Sequence, residues 1–280
     1  MNATDVSDSL ALSPVAEKRI AKDLSPAVAW PTLAFAVVLP TTTRIVTGLG
    51  FMGIVPLWVC AIILTPLSYA HYTLVHESIH DNLVPGHPKL RWLNTLVGWV
   101  GALGLAYNWP MMMRTHVLHH AHTNTDRDPD IVVKGTLAQL FVTWMKRQLI
   151  APMIPPVVLK YLAPARYLQI AGVLRGTEIW QASAVAAGMI LLLAAAIATN
   201  HVLAWLCLLF IPTRLAALLL GIFFQWLPHH PFDRSQRYLN TRISLWPGGL
   251  ILTLQQNLHL MHHLWPSVPF YNYARLYQRL

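Results

Sequence analysis

Apolar positions come in long unbroken runs, and these dominate the chain. Residues 27–43, 53–75 and 179–199 form runs of 17, 23 and 21 residues, the latter two without a charge. A fourth run, 202–227, is interrupted by Pro212 and Arg214. A helix needs roughly 20 apolar residues to cross a hydrocarbon core about 30 Å thick. The pattern therefore predicts an all-α integral membrane protein with four spans in two hairpins. Gly48 and Gly50 mark the first turn, Asn200 and His201 the second. Residues 93–107 are apolar but too short to span, with glycines at 98, 101 and 104, and read as re-entrant or interfacial. Residues 137–162 are apolar but carry Lys146, Arg147, Lys160, Pro152, Pro155 and Pro156, and read as interfacial too. Residues 1–25 are polar, without the long apolar stretch of a cleavable signal. The expected organisation is a polar segment, 1–25, followed by one membrane domain, 26–280.

Composition sharpens this reading. Of 280 residues, 55% are hydrophobic and only 11% charged, against about 25% charged in a soluble domain. Disorder, collagen-like fibres and disulfide scaffolds are excluded. The two cysteines, Cys60 and Cys207, lie in apolar runs and form no metal motif. The net charge of +9 does not indicate nucleic acid, because no basic arm or helix tracks phosphates. It follows topology instead. Of the 20 basic residues, 18 fall before the first span, between Lys89 and Arg175, or after the fourth span. The positive-inside rule places these segments in the cytoplasm. Arg214 remains inside the fourth span, where a charge is costly and marks a functional site unless it snorkels.

Fourteen histidines are the feature that needs a chemical explanation. Eight form three boxes: His76-Glu-Ser-Ile-His80, His116-Val-Leu-His119-His120 and His259-Leu-Met-His262-His263. Spacings of three and four residues set imidazoles on one helix face, a turn apart. His229 and His230 follow the fourth span. The hairpin arrangement brings all of these to the cytoplasmic face, as a His-rich cap. A single zinc takes about four ligands, three of them from protein in a catalytic site. Eight or nine imidazoles suit two first-row ions, and imidazole accepts Fe, Cu, Ni or Zn. Two rival readings stand beside this one. His76-Glu77-Ser78-Ile79-His80 also fits the H-E-x-x-H motif of zinc proteases, which leaves the other boxes unexplained. A metal carrier or sensor would hold its histidines in loops, not at fixed helical spacings. Asp81, Asn82, Asn124, Asp126, Asp128, Asp130 and Asn257 lie close in sequence to the boxes and are candidates to orient the imidazoles. Trp265-Pro-Ser-Val-Pro-Phe-Tyr reads as an interfacial anchor or a substrate entrance.

These boxes resemble those of the membrane fatty-acid desaturase and hydroxylase superfamily. Leu227-Pro-His-His-Pro-Phe232, Arg237, Asn240-Thr-Arg242, the stretch from Gln256 to Tyr273, and His119-His-Ala-His-Thr-Asn124 with Asp128-Pro-Asp130 are similar to the desaturase-like β-carotene hydroxylases. The resemblance implies two iron ions, O2 and an external electron donor such as a ferredoxin. It implies His76, His80, His116, His119, His120, His259, His262 and His263 as ligands, with His229 in the ninth position and His230 as the alternative. Gln225, a turn earlier, is a candidate to hold a metal-bound water. The expected activity is O2-dependent oxidation of a lipid-soluble substrate, first of all β-carotene 3-hydroxylation to zeaxanthin. Acyl-lipid desaturation is the alternative, and a ketolated product would mean a related ring oxidation. The expected setting is a bacterial inner membrane. Arg127, Lys134, Lys146 and Arg147 are candidates for steering an acidic donor.

Overall fold

A computed structural model describes residues 12–129 and 134–280, apart from the side chain of Arg147, and all regular structure among them is helical. The polar N-terminal segment contains α1 (Pro14–Asp23), capped by Ser13, whose side chain accepts from the Ala16 N–H. Two long helices follow, α2 (Trp30–Phe51) and α3 (Leu57–Ile79). Next come α4 (Trp92–Gly104), α5 (Trp109–His122) and α6 (Leu137–Arg147). After these lie α7 (Pro156–Leu162), α8 (Pro164–Ala171) and α9 (Gly176–Ala198). The fourth long helix, α10 (Val202–His229), loosens to π-type bonding over Leu206–Phe210 and Gly221–Trp226. Two short helices, α11 (His259–Leu264) and α12 (Tyr273–Arg279), close the chain. Helices α2, α3, α9 and α10 are long and apolar enough to cross a membrane.

The sequence pattern misplaces the first turn. Helix α2 runs through Gly48 and Gly50 to Phe51, and the chain reverses over residues 52–56, where Gly53 takes φ +72°. The polar triplet Thr41, Thr42 and Thr43 does not end the helix. Each hydroxyl folds back onto the carbonyl four residues earlier, at 2.7–3.0 Å, so the threonines cost the apolar environment little. Gly50 serves packing: a Cβ there would meet Leu208 and Cys60. The second turn sits as expected at Asn200, with φ +58°.

Helix α3 is the axis of the bundle, packed by α2, α4 and α10. The 93–107 stretch forms α4, 13 residues long and laid along α3. Its glycines permit close approach: a Cβ on Gly101 would lie 2.8 Å from the His71 carbonyl, and one on Gly98 would strike Trp109. The 137–162 stretch breaks into α6, a turn at Ala151–Met153 and α7, with a proline opening each of the last two pieces.

Residues 14–24 are more than a polar tail. Ala21 and Leu24 enter a buried cluster with Leu258, Met261, Leu264, Val268, Tyr273 and Leu276. Asn272 donates to the Leu24 carbonyl at 2.9 Å, and Ser25 to the Ser267 carbonyl at 3.0 Å. The segment from Trp265 to Tyr271 packs into this cluster, with Val268 wholly buried.

Arg214 does not snorkel. Only 3% exposed, it donates to the carbonyls of Gln148 at 3.0 Å and Leu105 at 3.1 Å, and lies 4.9 Å above the Tyr107 ring. It ties α10 to the ends of α4 and α6.

Candidate metal centre

Four separate pieces of chain deliver imidazoles to one place. His76 occupies the last turn of α3 and His80 its C-cap. Asn108 caps α5, and two turns later the helix presents His116, His119 and His120. The last turn of α10 carries His229. Before α11, Leu254 and Gln255 adopt positive φ (52° and 64°), and Thr253 and Asn257 bind one another. This turn aims His259, His262 and His263 at the other three pieces.

The rings assemble into two groups. One contains His76, His80, His116 and His262, the other His119, His229, His259 and His263. In each, the ligand nitrogens lie within 4.8 Å of one another, and His120 joins them through His262 and His263. The nitrogens that face each other are Nε2 atoms. That of His262 is 2.9 Å from His76 and 2.8 Å from His120. That of His116 is 3.1 Å from His80 and 3.2 Å from His120. That of His263 is 3.3 Å from His119 and 3.2 Å from His259.

Hydrogen bonds alone cannot satisfy this arrangement. A neutral imidazole nitrogen has one hydrogen or one lone pair, yet the Nε2 atoms of His262, His116, His120 and His263 each face two others. The His229 Nε2 is buried with no hydrogen-bond partner among the described residues. A cation that takes the lone pairs resolves both problems. With metal–nitrogen bonds of about 2.0–2.1 Å, neighbouring ligands of one ion stand about 2.9 to 3.3 Å apart. The observed Nε2 separations match, so these residues fit a pair of metal ions.

The opposite ring nitrogens are held from outside. The His119 Nδ1 lies 2.8 Å from the Asp128 carboxylate, the His229 Nδ1 3.1 Å from the Asn124 Oδ1, and the His262 Nδ1 3.1 Å from the Tyr273 hydroxyl. Such partners fix tautomer and ring orientation. Burial keeps the rings uncharged. It holds His116 down to about 3, with the neighbouring His119 adding to the effect. Burial and neighbouring imidazoles hold His80, His120, His259, His262 and His263 well below the ordinary histidine range. A neutral imidazole is the form that binds metal.

The two histidines named for the ninth position stand in different places. His229 stands in the second group, while His230 turns away and stacks on Trp226 at 4.6 Å. Asp128 sits where an orienting carboxylate is needed; Asp130 lies outside the described residues. Asn257 does not serve the imidazoles: its side chain accepts from Thr253 and donates to the Ser244 carbonyl, which builds the turn before α11. Asp81 pairs with Arg91, Asp126 with Lys134, and Asn82 donates to the Pro266 carbonyl. Glu77 is wholly buried but accepts from the Phe270 N–H at 3.1 Å and from Thr32 at 3.4 Å. It therefore clamps the cap onto α3, and no general-base role of the protease type suits that position. Tyr273 is the functional partner that sequence reasoning missed. It falls in a recognisable string, but nothing local marks its hydroxyl as a histidine partner.

An apolar cavity of about 220 Å³ approaches the cluster, with Leu105, Met111, Met112 and Leu220 among its lining residues. Three of its wall residues, Tyr72, Phe224 and Gln225, also line a small cleft against His116, His119, His229 and His259. Gln225 thus stands between the cavity and the imidazoles.

Residues 52–280 match the family model described as "Fatty acid desaturase". The chain is 26% identical over 227 residues to a beta-carotene ketolase of Paracoccus sp. (strain PC1), covering 77% of each chain. It is 28% identical over 216 residues to a beta-carotene ketolase of Paracoccus sp. (strain N81106 / MBIC 01143), covering 74% of each. Four apolar helices, a converging set of nine imidazoles and a family match across most of its length together make this chain a member of the fatty acid desaturase family.

Proposed function

We propose that the protein is a membrane diiron oxygenase of β-ring carotenoids, with His76, His80, His116, His119, His120, His229, His259, His262 and His263 holding the iron. The observation that carries this reading is the convergence of these imidazoles beside an apolar cavity. When bound, two iron ions with O2 and two electrons supply the oxidation of an unactivated C–H bond. The overall change is C–H plus O2, two electrons and two protons to C–OH and water. A second round at the same carbon gives a geminal diol, which loses water to leave a ketone. Ring 3-hydroxylation and ketone formation therefore begin alike, and the named relatives favour the ketone.

The chain's own residues set the conditions for this chemistry. Asp128, Asn124 and Tyr273 fix three imidazoles through Nδ1, so that Nε2 points inward. Glu77 holds the cap against α3, which keeps His262 near His76. Tyr72 and Phe224 shield the side that faces the cavity and exclude water. A carotenoid is far longer than a cavity of about 220 Å³, so only its ring end enters, and the polyene remains in the bilayer. The electrons come from a separate donor such as a ferredoxin on the cytoplasmic side of a bacterial inner membrane. The clustering of basic residues between and outside the spans supports that sidedness.

Expression in β-carotene-producing cells, with analysis of pigments and fatty acids, tests the reading. New keto- or hydroxycarotenoid is expected, together with about two irons per purified chain. Unchanged pigments with altered acyl unsaturation would overturn it in favour of a desaturase.

A further inference from the structure

Behind their rings, the two imidazole groups have unlike surroundings. In the first group the His262 Nδ1 meets the Tyr273 hydroxyl, and both side chains are wholly buried. In the second group the bonds run outward. The Asp128 carboxylate that holds His119 also accepts from the Asn124 backbone N–H at 3.1 Å. The Asn124 Oδ1 holds His229, and its carboxamide donates to the carbonyls of Arg234 and Asn240 at 2.7 and 2.6 Å. One residue thus links two imidazoles to the loop that follows α10. Against that loop lies a polar cavity of about 380 Å³, lined by Asn124, His229, Asn240 and Thr241 among others. The Thr241 Oγ1 and the Asn240 Oδ1 are buried without a hydrogen-bond partner among the described residues, so the cavity suits water or a polar group and not lipid. Arg234 and Arg242 stand in its wall, exposed and without an ion pair among the described residues; Asp233 is the carboxylate beside them.

His229 lines both this cavity and the small cleft that adjoins the apolar one. A lipid-soluble substrate and a water-soluble source of electrons need separate approaches to one centre, and these two cavities supply them. Electron transfer weakens steeply with distance and runs better through bonded atoms than across gaps. From the polar cavity, Asn124 gives a path of one hydrogen bond to the His229 ring. Two free guanidiniums beside one carboxylate favour an acidic partner, which a positive field steers to its encounter. Redox complexes are transient and use small interfaces, which a cavity mouth of this size accommodates. Resting on the oxygenase reading above, we propose that the polar cavity walled by Asn124 and residues 228–242 is the docking mouth for a small acidic protein that carries one electron at a time. Each encounter oxidises one carrier by one electron, and two encounters supply the two electrons that one turnover consumes.

The test uses the full, iron-loaded chain in detergent and an acidic two-iron ferredoxin as the probe. Surface plasmon resonance at low and high salt gives the affinity without any turnover. Replacing both arginines, Arg234→Glu with Arg242→Glu, is expected to weaken binding about tenfold or more at low salt and to flatten its salt dependence. Iron per chain is expected to hold, which shows that the variant has folded. Arg234→Gln with Arg242→Gln removes the charges without reversing them; a smaller loss in the same direction is expected, and this pair carries the test if the reversal fails to fold. Lys146→Glu changes an exposed basic residue of α6 outside the cavity wall and is expected to stay within about twofold of wild type. If neither arginine pair moves the affinity, or if Lys146→Glu alone does, the docking mouth is elsewhere and the oxygenase reading stands. If wild type oxidises carotenoid with another donor and binds no ferredoxin, the acidic carrier falls alone. If wild type holds no iron and oxidises no carotenoid, both fall.

Discussion

At the scale of single residues, what matters is which nitrogen of each imidazole faces inward. Six Nε2 separations between 2.8 and 3.3 Å are more contacts than nitrogens with one hydrogen or one lone pair each can satisfy. His229 and His230 make the sharpest comparison, being adjacent, chemically identical and oppositely placed. His229→Ala is expected to lose at least half of the bound iron and more than about 100-fold in turnover, since even orienting partners of ligands are worth 10–100-fold. His230→Ala removes a ring stacked on Trp226 and is expected to stay within about threefold. Iron per chain and turnover, measured side by side, check both. The three boxes were legible from sequence because helical spacing alone sets rings on one face. The choice between His229 and His230 was not, because it depends on where α10 stops. The partners of Nδ1 divide on the same principle. Asp128 was visible as a carboxylate nine residues from His119. Tyr273 was invisible because its hydroxyl reaches His262 only after the cap has folded.

At the scale of elements, hydrophobic runs located the long helices but not their ends. The first apolar run ends at Thr43, and Gly48 and Gly50 read as a turn, yet helix α2 runs on to Phe51. Hydroxyls that return to their own helix carry no boundary signal, and a glycine between packed helices looks like one in a turn. Short α4 shows the packing use clearly. A Cβ on Gly101 would lie 2.8 Å from the His71 carbonyl and 2.9 Å from the Val75 nitrogen, both backbone atoms of α3 that cannot rotate aside. Gly101→Ala is therefore expected to push α4 off α3 and to destabilise by about 1–3 kcal/mol. Gly188→Ala in α9 meets nothing within 4 Å. It is expected to be neutral or slightly stabilising, because alanine favours the helix by up to about 1 kcal/mol. Thermal unfolding of both variants in detergent decides the matter: equal melting temperatures would contradict close α3–α4 packing.

At the scale of the whole molecule, the imidazole cluster is roofed by elements from both ends of the chain. Helix α1 lies against the segment from Leu258 to Leu276, and Glu77 holds that segment to α3 through the Phe270 N–H. A polar N-terminal run gave no sign of this, because Ala21 and Leu24 make an apolar face too short to stand out. The roof forces several imidazoles to remain neutral, and acid acts on that constraint. Burial holds His116 down to about 3 in the folded protein, against about 6.5 in an unfolded chain. His80, His120, His259, His262 and His263 are shifted in the same direction. Between the folded and unfolded values the unfolded chain binds more protons, so stability rises with pH there and falls as pH drops below about 6.5. Bound metal steepens the same trend, since each ligand must be deprotonated. Acidification from pH 7.5 to 5 is expected to release iron and lower the melting temperature over one interval, while the change from pH 8.5 to 7.5 has little effect. A chelator at pH 7.5 should also lower the melting temperature, because ions that bind only the folded chain stabilise it. A melting temperature that stays flat down to pH 5 would mean that these imidazoles accept protons freely, which a roofed cluster of neutral rings does not allow.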